Sequence, residues 1–346
     1  MAHHPYRGLP DDRFWRKAIA DKSVFDLSDL YTKKFDIHQS EPIATAGSCF
    51  AQHIAKRLQA SGYRYLDGEV APFNFPPDQL EAYGYGLYSA RFGNIYTARQ
   101  LLQLAQRAFG EFEPLEHIIE QNGRIYDLLR PTVEPDGFGS REEYAALLAY
   151  HFRAVRHMFT RCGVFIFTFG LTEAWLDRRD GTVYPICPGT AVGTYDPAKY
   201  AFHNFTVSEI LTDMHQLIAM VRKVNPGAKF MFTVSPVPLV ATAEDRHVMV
   251  STVYSKSVLR AVAGELEKSD PLIDYFPSYE IISGIPSKSM FFLPDMRSVH
   301  SKGVDLVMEH FFRQHPPFTS VAKAASRPKE ERDPVCDEIL LDGVEK

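Results

Sequence analysis

The sequence predicts an α/β fold with a mostly parallel sheet that is covered by helices on both faces. The run 163–169 is continuously apolar, as strands buried on both faces of a parallel sheet are. The amphipathic segment 141–160 leads directly into it with apolar residues at helical spacing. A capping box at 206–209 opens a further helix, which Asn225-Pro226-Gly227 ends before a strand at 228–234. Strands that alternate with helices of this length predict such a sheet.

The remaining elements follow from the same patterns. A strand at 43–46 precedes a helix at 49–61, and the segment 98–109 is a further helix. We expect a later strand near Ile281 and a final helix that begins just after His300. Its apolar face comprises Val304, Val307, Met308 and Phe311.

The chain divides into one main domain with two extensions. Residues 1–40 are an N-terminal extension that we expect to pack on the domain at 41–318. Loop-rich insertions are predicted near 67–93 and 177–204, where Pro and Gly accumulate. Residues 319–346 form a charged tail without apolar periodicity, which we expect to be flexible or to pack only locally.

Composition excludes several classes of protein. The 346 residues carry a formal net charge of −5, whereas nucleic-acid-binding proteins usually have a basic surface. No apolar run is long enough to span a membrane, and the N-terminus lacks the apolar core of a secretory signal. The four cysteines are widely scattered, which predicts neither a zinc site nor a disulfide framework. A cytoplasmic location fits these features best.

Ser48 lies where the first predicted strand gives way to a helix. Phe50, Ile54 and Leu58 recur at helical spacing behind it, and Gly47 supplies backbone freedom for the turn. A hydroxyl at such a turn can stand clear of the sheet, beside free N–H groups that would stabilise a developing anion. Ser48 is therefore a candidate nucleophile. The alternative is that it is only the N-cap of the helix, a role that serine often fills.

The motif Gly47-Ser48-Cys49-Phe50-Ala51 resembles that of the GSCFA family, a bacterial group similar to the SGNH (GDSL-like) hydrolases. Further stretches agree in order and spacing over roughly residues 35 to 315: 92–98, 167–175, 233–238, and Asp295 with His300. The resemblance implies a flavodoxin-like α/β/α sandwich of three layers. It also implies ester chemistry by a Ser-His-Asp triad.

The resemblance assigns the base to His300 and the acid to Asp295. A serine hydroxyl needs a base to become a nucleophile, and in SGNH hydrolases that base lies in a loop before the last helix. The family pattern places the aspartate three residues before the histidine, but Asp295 lies five before His300. Either Asp295 still orients His300, or a backbone carbonyl does so and the site is a dyad.

The resemblance also implies an oxyanion hole with three donors. Two would be the N–H groups of Ser48 and Gly93. The third is usually an asparagine side chain, but Thr172 occupies that position here. Asn94 or Asn204 could replace it, and the sequence leaves the choice open.

Two residues after the strand at 163–169 are candidates for substrate binding. Glu173 and Trp175 follow a strand end, where ligands bind in open α/β sheets. Glu173 would bind a substrate hydroxyl, or else pair with Arg178 or Arg179. Cys49 is a rival nucleophile, although a free cysteine commonly packs as a small apolar residue.

These features predict a serine esterase-type enzyme that cleaves an acyl ester, with a carbohydrate ester or a related small ester as substrate. It would need no cofactor and no metal, would not bind nucleic acid and would not span a membrane. The sequence does not predict an oligomeric state. The alternatives are an O-acyltransferase acting on a polysaccharide or its precursor, and a non-catalytic binding protein for polysaccharide assembly that kept the fold.

Overall fold

The computed structural model describes residues 4–317 and 334–343. Four strands form a central sheet in the order β1-β4-β8-β9, and every neighbouring pair is parallel. These strands are β1 (Ile43–Gly47), β4 (Val164–Phe169), β8 (Lys229–Val234) and β9 (Ile273–Tyr275). The predicted strand near Ile281 is wrong: β9 lies earlier, and Ile281 is on a short helix.

Seven α-helices accompany the strands in the described residues. They are α1 (Cys49–Ala60), α2 (Ala98–Phe109), α3 (Arg141–Arg161), α4 (Val207–Val224), α5 (Val248–Ser269), α6 (Ser278–Ser283) and α7 (Ser301–Gln314). The capping box at the start of α4 is present as predicted, with Thr206 and Glu209 each bonded to the other's backbone N–H. Helix α7 begins directly after His300, also as predicted.

Alternation along β4 divides the core into two layers. Phe165, Phe167 and Phe169 pack in one apolar cluster with residues of α2, α3, α4 and α5. Val164 and Ile166 point to the opposite face and pack in a second cluster with residues of α1, α6 and α7. Since successive residues of a strand face opposite sides, a strand that is apolar throughout needs helices on both faces. The three-layer α/β/α sandwich is therefore confirmed.

The predicted insertions contain more regular structure than their composition suggested. Strands β5 (Glu173–Asp177), β6 (Val183–Tyr184) and β7 (Tyr200–Asn204) form an antiparallel sheet in the order β6-β5-β7. A separate hairpin pairs β2 (Ile118–Gln121) with β3 (Arg124–Asp127). The predicted irregular insertion at 177–204 is thus wrong in part, because two of its segments pair with β5. The loop at 67–93 contains no helix or strand, as predicted.

Both extensions contact the main domain. Val24, Leu27, Tyr31 and Ile37 are buried in the second cluster with α1 and α7. The predicted tail at 319–346 lies largely outside the described residues, but its segment 334–343 is placed. Its Val335 carbonyl accepts bonds from Gln52 and Asn94, so the expectation of only local packing is wrong for this part.

Gly47 is the last residue of β1 and has a φ of +147°, which favours glycine. A Cβ at this position would lie 2.6 Å from the backbone oxygen of Thr168 on β4. We therefore expect Gly47→Ala to lower the free energy of unfolding by roughly 3 kcal/mol, measured by urea denaturation. Gly110→Ala is the matched control, because Gly110 also has positive φ but an open environment. It should cost only about 1 kcal/mol, and equal losses would contradict the steric explanation.

Candidate active site

Ser48 joins β1 to α1 and occupies the N-cap position of the helix. Its side chain makes no capping hydrogen bond, and the residue is only 3% exposed. The Oγ atom is buried and has no hydrogen-bond partner among the described residues. A buried hydroxyl without a partner costs about 1–3 kcal/mol, so it usually has a reason outside stability. The simple N-cap interpretation therefore does not account for this side chain.

The loop that carries Gly93 and Asn94 lies beside the Ser48 turn. The N–H of Ile95 donates to the Gly47 carbonyl at 2.9 Å, and the N–H groups of Gly170 and Leu171 donate to the Tyr96 carbonyl. A methyl group at Gly170 would lie 2.9 Å from Ser48 Cβ. The ends of β1 and β4 and the loop at 92–97 therefore meet at one point, as the resemblance implied.

The predicted oxyanion donors differ in their availability. Gly93 has a φ of +70°, and its N–H donates to no group in the described part of the chain. Thr172 is fully buried, and its Oγ1 likewise lacks a partner among the described residues. Neither donor is therefore committed to another described residue.

The two asparagines are engaged elsewhere. Asn94 Nδ2 donates to the Val335 carbonyl at 3.1 Å and to Asp337 Oδ2 at 3.0 Å. Asn204 lies on β7 opposite Glu173, and its Nδ2 donates to Glu244 Oε1 at 2.8 Å. Both N–H groups of the Asn94 amide are therefore engaged, whereas the Asn204 amide keeps one N–H that bonds no described residue.

The structure does not bring Asp295 and His300 together as a triad pair. The Asp295 carboxylate accepts from the N–H groups of Arg297 and Ser298 and from Ser298 Oγ at 2.6 Å. In the family pattern the residue three positions after the aspartate is a histidine that bonds the carboxylate. Here that position is Ser298, which makes the bond instead. The two extra residues before His300 explain this difference, because they place His300 beyond the turn that Asp295 stabilises.

His300 is instead the N-cap of α7. Its Nδ1 accepts from the N–H of Lys302 at 3.0 Å. Because Nδ1 is an acceptor here, a neutral ring carries its proton on Nε2 and cannot accept another there. No hydrogen bond joins His300 to Ser48 in the described residues.

Lys256 is a residue of this region that the sequence analysis missed. It lies on α5, fully buried, and its Nζ donates to the Gly170 carbonyl at 2.7 Å. Burial lowers the pKa of Lys256 to about 8. The neighbouring Ser255 accepts from the N–H of Thr172. The signal that could have found it is a charged residue among apolar ones, because Lys256 lies on the buried face of α5 with Leu259 and Ala263.

A cavity of about 460 Å³ lies next to this region. Glu173 and Trp175, which the sequence analysis proposed for substrate binding, line it together with Phe202. Burial raises the pKa of Glu173, whose Oε1 accepts from Thr242 Oγ1 and not from Arg178 or Arg179. Glu338 and Leu341 of the C-terminal segment complete the lining.

The fold and this geometry define the class: an α/β/α sandwich with a buried serine at the carboxyl edge of a parallel sheet, its hydroxyl without a hydrogen-bond partner among the described residues. The chain belongs to the GSCFA family, whose model matches residues 42–311. No curated protein matches the chain. None of the described helices has the length and apolar character needed to cross a membrane.

Proposed function

We propose that the protein is a serine esterase-type enzyme that cleaves an acyl ester with Ser48 as nucleophile. The observation that carries the proposal is the Ser48 hydroxyl, which is buried, caps nothing and has no partner among the described residues. Its position after a parallel strand, beside the unengaged Gly93 N–H, is where an acyl group and its oxyanion would be held. We place the activity in the cytoplasm.

The reaction has two halves. A base takes the proton from Ser48 Oγ, and the oxygen attacks the acyl carbon to form a tetrahedral intermediate. The Gly93 and Ser48 N–H groups would stabilise its oxyanion, with Thr172 Oγ1 as the third donor. The protonated base then returns the proton to the leaving alcohol, and an acyl-enzyme forms. Water or a sugar hydroxyl attacks this ester, giving hydrolysis or acyl transfer respectively.

We favour Lys256 over His300 as the base, although neither side chain bonds Ser48 Oγ among the described residues. Its Nζ bonds the carbonyl of Gly170, and Gly170 packs against Ser48. A lysine whose pKa is lowered to about 8 is partly neutral at physiological pH, so it can accept a proton. Serine–lysine pairs are a known variant of the triad arrangement. His300 would first have to release the Lys302 N–H, and Asp295 would have to leave Ser298 to orient it.

The cavity beside the site favours a carbohydrate ester as substrate. Trp175 and Phe202 offer aromatic surface to an apolar sugar face, and Glu173 offers a carboxyl group to a hydroxyl. The O-acyltransferase alternative uses the same acyl-enzyme and differs only in its acceptor. A non-catalytic binding role is favoured by one observation, the absence of a bond between Asp295 and His300.

The proposal is tested by incubating the purified protein with a fluorophosphonate probe. Labelling of Ser48, located by fragmentation of the tryptic peptide 35–56, supports a serine enzyme. The absence of labelling, under conditions where a known serine esterase reacts fully, would support the binding role.

Thr172→Val separates a catalytic from a structural role of this hydroxyl. Because Thr172 Oγ1 is buried without a partner in the described residues, its removal should leave stability unchanged or raise it by about 1 kcal/mol. If Thr172 is the third oxyanion donor, kcat should fall by roughly 10²-fold with little change in KM. Steady-state kinetics and thermal unfolding check both effects. Asn94→Ala is the control, and a larger kcat loss there would transfer the role to Asn94.

A further inference from the structure

The C-terminal segment 334–343 is bonded to the start of α1 and to the loop at 92–97. Val335 exchanges two hydrogen bonds with the Gln52 amide, at 3.0 Å and 2.7 Å. Asp337 accepts from Thr132 Oγ1 and from Asn94, and its N–H donates to Tyr96 Oη. Gln52 and Asn94 flank Ser48 in the fold, so the segment lies beside the proposed nucleophile.

Cys336 lies between these contacts and packs against the second apolar cluster, the cluster that contains Cys49. Cys49 follows Ser48 in the chain and is buried. Arg297 Nη2 lies 3.6 Å from Cys336 Sγ, and Tyr96 Oη lies 3.9 Å from it. Cys336 is only partly buried. The fold therefore joins two cysteines that lie far apart in the sequence, one reachable from solvent and one enclosed.

The charges around Cys336 favour its thiolate. The neighbouring Cys49 thiol and the Arg297 guanidinium lower the pKa of Cys336. Glu338 also contacts Arg297, but burial raises the pKa of this carboxyl to about 8. Lys256 adds a further positive charge near Glu338. The other two cysteines differ, because burial raises the pKa of Cys187 to about 11 and that of Cys162 to about 12.

We propose that Cys336 and Cys49 form a peroxide-sensitive dithiol site, in which Cys336 is oxidised first and Cys49 resolves it. The Cys336 thiolate attacks one oxygen of hydrogen peroxide, which breaks the O–O bond and gives a sulfenic acid and hydroxide. Oxidation removes the negative charge of Cys336, which is one of the causes that raise the pKa of the Cys49 thiol. Cys49 then gives its proton to the sulfenic oxygen as its sulfur attacks the Cys336 sulfur, so the oxygen leaves as water and a disulfide forms. Each peroxide is reduced by the two electrons that the thiols lose.

The disulfide would tether the C-terminal segment beside Ser48. In the reduced protein the segment is held by hydrogen bonds, which can break and re-form. In the oxidised protein a covalent bond joins it to the residue after Ser48, so Asn94 and Gln52 stay covered. This consequence for activity rests on the proposed function, whereas formation of the disulfide does not.

To test this, the full-length reduced protein is treated with increasing concentrations of hydrogen peroxide. The remaining thiols are then blocked, and the protein is digested with trypsin without reductant. We expect a disulfide between the tryptic peptides 35–56 and 333–346, reversed by dithiothreitol. Cys336→Ser should remove it, and Cys162→Ser, the matched control, should not. In Cys49→Ser, dimedone should trap the sulfenic acid on Cys336. Circular dichroism confirms that each variant is folded.

Two results would overturn the proposal. One is oxidation of Cys187 or Cys162 at peroxide doses that leave Cys336 reduced. The other is a Cys336 alkylation rate at pH 6.5 that Arg297→Gln does not lower, since loss of the guanidinium should slow it by about 10-fold. Both measurements use thiol chemistry alone, so they stand even if the protein shows no esterase activity.

Discussion

Ser48→Ala is expected to abolish fluorophosphonate labelling and to lower the hydrolysis of short-chain aryl esters by at least about 10⁴-fold. The reason is that the variant removes the oxygen atom that would form the acyl-enzyme. The same variant should unfold at an equal or higher denaturant concentration than the wild type. Its hydroxyl is buried without a partner in the described residues, so deleting it removes a desolvation cost of about 1 kcal/mol.

This pair of readouts distinguishes a nucleophile from a structural serine. A serine that stabilised α1 would lose stability on replacement by alanine and would leave esterase activity largely intact. Cys49→Ala is the neighbouring control and should retain labelling, because the nearby Cys336 and burial raise the pKa of the Cys49 thiol. Labelling that survives in Ser48→Ala but disappears in Cys49→Ala would reassign the nucleophile to Cys49.

The central fold could be predicted because its signals are local. The apolar run of β4 and the capping box of α4 each define an element from a few adjacent residues. The strand predicted near Ile281 failed because an apolar pair alone does not distinguish a strand from a short helix. Strands β6 and β7 were missed because their pairing with β5 depends on contacts across the chain, not on their own composition.

The site could be predicted only where a motif is contiguous. Ser48 could be proposed from the strand-to-helix turn that carries it, whereas Gly93 and Thr172 were proposed only through the family resemblance. Lys256 was missed because nothing near it in sequence marks the Gly170 carbonyl that it bonds. Cys336 was missed for the same reason, because its partner Cys49 is distant in the chain. Its charged surroundings, typical of a solvated tail, gave no sign that the segment is placed on the domain.

The second large effect is expected when Lys256, the proposed base, is replaced. Lys256→Met keeps the length and most of the volume of the side chain but removes its amine, and kcat should fall by about 10²- to 10⁴-fold. His300→Asn is the matched variant, because asparagine can still cap α7 and the geometry gives His300 no bond to Ser48. Its kcat should stay within a few-fold of the wild-type value. Loss of activity in His300→Asn, with Lys256→Met still active, would return the role to His300.

The pH profile gives an independent check on the same residue. Burial lowers the pKa of Lys256 to about 8, so the amine becomes neutral, and able to accept a proton, as the pH rises through that value. Wild-type kcat/KM should therefore increase through about pH 8 and then level off.

Glu338 titrates near the same pH, because burial raises its pKa to about 8, so the profile must also be measured in Glu338→Gln. The rise should persist in Glu338→Gln and vanish from the residual activity of Lys256→Met. If the opposite pattern is found, ionisation of the C-terminal segment controls the profile and Lys256 is not the base.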